Sequence, residues 1–170
     1  MLRHAKSSWS DLSLNDFDRP LNARGQKAAP RMGAYMRAEK LTPDLVLCSA
    51  ARRAVETWAL TEASLTKKGG EGVETKYLRS LYLAPPSRIL TVLKRLPEEV
   101  GCVLMIGHNP GTEHLAAALA GEGSAPKALA HLRSKFPTAG LAELAFETDS
   151  WGEVAPGAGK LIRFVTPKSL

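Results

Sequence analysis

Gly101-Cys102-Val103-Leu104-Met105-Ile106-Gly107-His108-Asn109-Pro110-Gly111 is the stretch that decides the fold. Val103 to Ile106 is an unbroken apolar run bounded by glycine. A strand with one wet face would alternate, so Gly101–Ile106 reads as a strand buried on both faces. Gly, Asn and Pro then turn the chain, and Gly111 to Leu119 returns to helical spacing. The same unit recurs upstream. Asp44-Leu45-Val46-Leu47-Cys48 reads as a buried strand ending at Ser49. Ala50 to about Thr66 follows as a helix, with Ala54, Val55, Trp58, Leu60 and Leu65 on or near its apolar side, and Lys67-Lys68-Gly69-Gly70 ends it.

Working outward, Val73–Tyr77 reads as a strand and Ser87–Leu96 as a helix. Leu21–Lys40 has a helical pattern interrupted by Pro30, which should kink or shorten it. Leu141–Phe146 and Leu161–Val165 read as strands, and the Gly/Pro-rich loop Trp151–Gly159 between them suggests a hairpin. Strand–helix alternation predicts an α/β three-layer sandwich, a mostly parallel mixed sheet flanked by helices on both faces. With 170 residues and no internal repeat or dividing linker, residues 1–170 are expected to form one domain.

Composition narrows the partners. Lys and Arg exceed Asp and Glu by 23 to 17, giving a net charge of +6. The cations are dispersed and the longest pure basic run is a pair, Lys67-Lys68 or Arg52-Arg53, so a nucleic-acid patch is not expected. No apolar run approaches the ~18 residues of a membrane span, and no signal-peptide pattern is present. Cys48 and Cys102 lie in apolar segments with no CxxC pair; they read as buried, reduced thiols and fit a reducing, cytoplasmic setting. Trp9, Trp58 and Trp151 read as packing residues, and His114 and His131 as surface or helix residues. No HExxH, GxSxG, GxxxxGK[ST] or GxGxxG pattern is present, so no zinc, serine-nucleophile or nucleotide-binding chemistry is indicated.

The candidate chemistry sits at strand ends. In open α/β sheets ligands bind beyond the carboxyl ends of the strands. Three strands end in suggestive residues: Leu2-Arg3-His4 at the start, Ser49 to Arg53, and Gly107-His108-Asn109. Two histidines and several arginines brought to one sheet edge suit a phosphoryl group. A neutral imidazole can attack phosphorus, guanidinium forks can hold the equatorial oxygens, and a second histidine can donate to them. Taken singly, His4 could be an ordinary histidine, His108 part of a tight turn, and Arg19 a partner of Asp16 or Asp18.

Leu2-Arg3-His4-Ala5-Lys6-Ser7 resembles the Arg-His-Gly/Ala signature that opens the histidine phosphatase superfamily, also called phosphoglycerate-mutase-like, and within it the SixA group of small phosphohistidine phosphatases. Asp18-Arg19-Pro20-Leu21-Asn22-Ala23-Arg24-Gly25 resembles its RPL(T/N)xxG segment. Cys48 to Thr57 resembles its SxxxRAxxT segment, Gly107–Gly111 its second-histidine loop, and Pro137-Thr138-Ala139-Gly140 its late motif. The matches span nearly the whole chain in the family's order.

The resemblance implies a phosphoglycerate-mutase-like fold and a metal-independent phosphatase that needs no cofactor. His4 would accept the phosphoryl group, Arg3 and Arg52 would hold its oxygens, and His108 would complete the pocket. Arg19, Ser49 and Asn109 would be substrate-binding. Of the arginine pair, Arg52 is taken as the better fit to the family spacing and Arg53 as a helix-surface charge. Larger members carry a glutamate after the third strand as general acid. Here Tyr77 to Pro85 holds no carboxylate, which tilts the expected substrate from sugar phosphates, whose poor leaving groups need a proton, toward phosphohistidine. Asp11, Asp16, Asp18 and Glu113 could substitute, and nothing in the sequence selects one. The expected partner is a phosphorylated substrate, a phosphohistidine-carrying protein in particular, acted on by a monomer. Two alternatives stay open: a small-molecule phosphomonoester phosphatase and a non-catalytic phosphoprotein-binding module. One oddity attaches to His4. Almost no strand precedes it, so the strand either pairs with very few residues or the natural protein begins earlier.

Overall fold

The computed structural model describes residues 1–66 and 72–170; the expected helix stop at Lys67-Lys68-Gly69-Gly70 lies outside the described residues. Six strands form one mixed sheet: β1 (Leu2–Arg3), β2 (Leu45–Ser49), β3 (Glu74–Leu78), β4 (Val103–Gly107), β5 (Leu141–Phe146) and β6 (Gly159–Val165). Their spatial order is β3-β2-β4-β1-β5-β6. β3, β2, β4 and β1 run parallel, while β5 is antiparallel to β1 and to β6. The expected mixed sheet with a C-terminal hairpin is thus present. β2 is buried along its whole length, as a parallel strand covered on both faces must be. β3 lies at one edge, and its exposed positions include the Glu74–Lys76 ion pair, charges that discourage edge-to-edge pairing.

The stub before His4 occupies an interior slot of the sheet. Leu2 and Arg3 sit in register with Ile106 and Gly107 of β4, and Leu2 faces Leu141 of β5. The His4 amide donates to Gly107 O at 3.0 Å, and the Arg3 amide to Gly140 O at 3.0 Å. Two residues therefore bond to strands on both sides, which is enough to fix the backbone that presents His4.

Among the described residues five α-helices cover the sheet: α1 (Ala23–Ala38), α2 (Arg52–Leu65), α3 (Pro86–Leu93), α4 (Gly111–Leu119) and α5 (Pro126–Ser134). Ala29, Met32 and Met36 of α1 and Ala54 and Trp58 of α2 pack with Val46, Cys48, Leu104 and Ile106. Ile89 and Leu93 of α3 and Leu115 and Leu119 of α4 pack with the alternate strand positions Leu45, Leu47 and Met105. α5 covers the hairpin through Leu132, against Ala142, Leu161 and Phe164. Pro30 does not end α1, which runs sixteen residues through it. One missing hydrogen bond is outweighed by the buried face that α1 lays on α2. Gly25 and Gly111 are required by close approach. A Cβ at Gly25 would stand 2.2 Å from Lys6 O, and one at Gly111 1.9 Å from Ala84 O.

Two sequence expectations are corrected, and one helix is added to them. Cys102 is exposed just before β4, unlike Cys48, whose burial pushes its thiol up to about 12. Trp9 is exposed and lies under the Arg19 guanidinium, 3.1 Å from its ring centroid, rather than in the core. α5 had no clear signal: Gly123, Ser124 and Pro126 at its start read as loop punctuation.

A Gly111→Ala substitution forces the Ala84 backbone away and should cost about 1–3 kcal/mol, in the range of overpacking. Urea denaturation measures this; an unchanged midpoint would show that α4 does not approach the Ala84 segment as described.

Candidate active site

The carboxyl ends of β1, β2 and β4 meet at one edge, and His4, Ser49 and His108 stand there. His4 is 8 % exposed and His108 2 %, so both rings are buried. Their ring centroids are 4.9 Å apart.

The ring nitrogens have assignable roles. His4 Nδ1 lies 2.7 Å from Ala5 O, a carbonyl that can only accept, so Nδ1 carries the proton. His4 Nε2 is then the lone-pair nitrogen, and it accepts from Arg53 Nε at 3.3 Å. Arg53 Nη2 also faces His108 Nδ1 at 3.2 Å. A guanidinium only donates, so His108 Nδ1 accepts and its Nε2–H donates to Ser49 Oγ at 2.8 Å. Both imidazoles are neutral. Burial is the main cause for His4, with Arg53 and Arg3 adding to it against the Ala5 carbonyl and Asp16; its pKa falls to about 3. Burial, then His4 and Arg53, lower His108 to about 3 as well.

Arg53 is the cation at the centre, 3 % exposed. Its charge is balanced by Asp16, whose Oδ2 accepts from Nη2 at 2.9 Å. Burial pushes the Asp16 carboxyl up, but hydrogen bonds from Tyr82 and Arg53, the Arg53 charge and a hydrogen bond from Arg19 outweigh it and bring the group to about 2. Asp16 is therefore an ionised anchor at neutral pH, not a proton donor. Tyr82 Oη donates to the same Oδ2 at 2.7 Å, and its ring meets His108 edge-on at 5.5 Å.

Arg52 does not join this cluster. Its side chain is 55 % exposed and bonds Glu56 Oε1 at 2.7 Å. The choice of Arg52 over Arg53 is reversed by the geometry. The correcting signal lies in the spacing itself, since Ser-x-x-x-Arg-Ala-x-x-Thr counted from Ser49 lands on Arg53 and Thr57. Thr57 Oγ1 donates to Arg53 O at 2.6 Å and accepts the Ala5 amide at 2.9 Å, so it ties the first turn of α2 to the loop after His4.

The remaining candidates divide. Arg3 Nη1 donates to Phe136 O at 2.7 Å, while its Nε is buried with no acceptor. Arg19 spends all three nitrogens on the protein, donating to Ser8 O at 2.8 Å, Asp16 Oδ1 at 2.6 Å and Ser7 Oγ at 2.7 Å. Its place is behind Asp16, the ion-pair reading that the sequence left open. Ser49 is fully buried and occupied by His108. Asn109 Nδ2 donates to Glu113 Oε2 at 2.6 Å and to Phe136 O at 3.1 Å, the carbonyl that Arg3 also uses. Ser49 thus orients His108, and Asn109 ties the start of α4 to the segment after α5. Asp16, Tyr82 and Thr57 were not singled out as site residues. Asp16 is legible in the sequence as a substitute acid or as a partner of Arg19, and nothing local in the sequence marks Tyr82. Among the described residues no group of three or more His, Cys, Asp or Glu is placed to hold a metal.

The two buried neutral histidines link stability to pH. Their folded pKa values lie below the ~6.5 of an unfolded histidine. Their contribution is complete above about pH 6.5 and is lost as pH falls toward 3, because the unfolded chain binds protons there that the folded one refuses. Urea midpoints should fall from pH 7 to about 4.5, and His108→Gln should flatten that fall. An equal decline in the variant would contradict the assignment of neutral His108.

Comparison with known proteins places this cluster in a family. Residues 1–75 match the model of the histidine phosphatase superfamily (branch 1). An uncharacterized protein of Mycobacterium tuberculosis is 36 % identical over 168 residues, covering 98 % of this chain and all of that protein. The Agrobacterium tumefaciens protein assigned as phosphohistidine phosphatase SixA superposes with a TM-score of 0.78 at 32 % identity, over 98 % of this chain and 95 % of that one. The Nakamurella multipartita counterpart gives 0.82 at 26 % identity, over 98 % and 93 %. With its sheet order, its paired histidines at the strand ends and relatives matched over nearly their full length, the chain belongs to the histidine phosphatase superfamily.

Proposed function

We propose that this protein is a metal-independent phosphatase that works through a phosphohistidine on His4, with phosphohistidine in proteins as its substrate. The observation that carries the reading is the state of His4: neutral, its Nδ1–H held by Ala5 O, its Nε2 lone pair beside Arg53. Nε2 attacks phosphorus. The new N–P bond forms as the bond to the leaving imidazole breaks, and the departing imidazole takes a proton from solvent. Water then attacks phosphorus, the His4 N–P bond breaks and phosphate leaves.

Charge placement supports the same reading. The 3.2 and 3.3 Å bonds from Arg53 to the two histidines are long, so phosphoryl oxygens compete with them readily. The unpartnered Arg3 Nε supplies a further donor. His108, its ring centroid 4.9 Å from that of His4, is held by Ser49. Fixed donors of this kind act where charge develops in the transition state.

The lack of a carboxylate between Tyr77 and Pro85 favours phosphohistidine over phosphomonoesters. Tyr82 stands in the segment where larger members carry a glutamate, and its phenol is pushed above its ordinary value by burial and by Asp16. Asp16 is ionised. An alkoxide leaving group would find there only a weak phenolic acid whose proton is held by Asp16, whereas imidazole needs none from the protein. The similar Agrobacterium protein is assigned to phosphohistidine chemistry, which points the same way.

His4→Ala should abolish hydrolysis of a phosphohistidine peptide, and the wild type should prefer that peptide to aryl and sugar phosphates. Full turnover in His4→Ala, or preference for sugar phosphates, would refute the reading. Arg53→Ala should lower kcat/KM about 10²–10³-fold, as removal of one transition-state donor does. Arg52→Ala should stay within about threefold, since an exposed i,i+4 pair contributes little; the reverse order would restore Arg52 to the site.

A further inference from the structure

Beside the site lies a cleft of about 1130 Å³, bounded by the first half of α1, the end of α5 with the segment after it, and the segment after β6. Arg3 lines it, so the cleft adjoins the histidine cluster. Six further cations line it: Lys6, Arg24, Lys27, Arg31, Lys135 and Lys168. Among the described residues no Asp or Glu lines it, and none of the six forms an ion pair.

This concentration of charge works against the local structure. Arg24, Lys27 and Arg31 share one exposed face of α1 at i, i+3 and i+7. Lys27 and Arg31 form a repelling i,i+4 pair. Arg24 sits in the first turn, where the helix dipole is already positive and no acidic residue offsets it. Like charges left unneutralised along one wall raise the local potential and attract anions.

The lining also selects among anions. It contains no Phe, Tyr or Trp, and the one aromatic-like ring, His131, lies edge-on to Phe164 at 5.0 Å. A single-stranded nucleic acid or a nucleotide would find no platform for its bases. The volume exceeds the ~300–1,000 Å³ of small-ligand sites, and the cations spread too far along it for one phosphoryl group to engage them all. Lysine ammonium groups, four of the six, suit carboxylates met one at a time in varied geometry.

We infer that this basic cleft docks an acidic surface segment of the protein that carries the phosphohistidine, setting its phosphoryl group at His4 past Arg3. The phosphohistidine in that statement rests on the proposed function; the acidic docking does not. In this arrangement specificity comes from carboxylates outside the reacting group, and steering makes it salt-sensitive.

The test is fluorescence anisotropy with a labelled Asp/Glu-rich peptide, a neutral peptide of equal length and a single-stranded RNA. The triple variant Arg24→Glu, Lys27→Glu, Arg31→Glu changes only exposed side chains of α1. The acidic peptide should bind the wild type, weaken at least about tenfold in the variant and weaken again with added salt; the neutral peptide should not bind. Equal affinity in the variant, or RNA bound more tightly than the acidic peptide, would overturn the inference. If that variant unfolds by circular dichroism, Lys135→Glu with Lys168→Glu on the opposite wall serves the same test. Hydrolysis of phosphoramidate, too small to reach the cleft wall, is followed in parallel. Lost peptide binding with unchanged phosphoramidate turnover supports the docking. Peptide binding without any turnover would sink the proposed function and leave the docking surface standing.

Discussion

A single buried guanidinium organises the site. Arg53 donates to His4 Nε2, to His108 Nδ1 and to Asp16 Oδ2 from one rigid plane. Burying a cation is costly unless it is paired and fully hydrogen-bonded. Asp16 provides the opposite charge, and it is itself pinned by Arg19 and Tyr82. The two histidines provide lone pairs. Burial, with the Arg53 charge adding to it, keeps both imidazoles neutral at neutral pH, and the nitrogen left bare on His4 is the one that faces Arg53. The state that a nucleophilic imidazole needs follows from how the histidines and Arg53 are buried together.

The scaffold holds β1 on both sides. β1 has two residues, yet it lies between β4 and β5 and bonds both. The backbone at His4 is therefore fixed from either side. Thr57 ties the next peptide to α2, which carries Arg53. Glu56, one position earlier, accepts the Leu21 amide at 2.7 Å and links the segment before α1 to the same helix. Motif positions that look catalytic in a linear reading divide here into groups that face the reaction and groups that hold those groups in place.

The fold was largely readable because β2 and β4 are buried apolar runs with turn residues after them, and burial on both faces leaves that mark in a sequence. The slot of β1 was not, since two residues carry no periodicity and pairing is a tertiary fact. α5 was hidden by its own Gly-, Ser- and Pro-rich entry. Among the site residues, His4, His108 and Arg3 were legible from the ends of strands. Arg52 was chosen over Arg53 although the spacing from Ser49 already favours the latter; which of two adjacent arginines turns inward depends on the helix phase, and α2 begins at Arg52. Asp16 and Tyr82 lie 66 positions apart in sequence, and no local pattern joins them.

The central claim is that His4 Nε2, and not Nδ1, receives the phosphoryl group because Ala5 O holds the proton on Nδ1. Phosphorus–nitrogen coupling in the NMR spectrum of the phosphoenzyme, with histidine nitrogens isotopically labelled, reads the bonded nitrogen directly. Coupling to Nε2 of His4 is the predicted result. Phosphorus on Nδ1, or on a histidine other than His4, would contradict it.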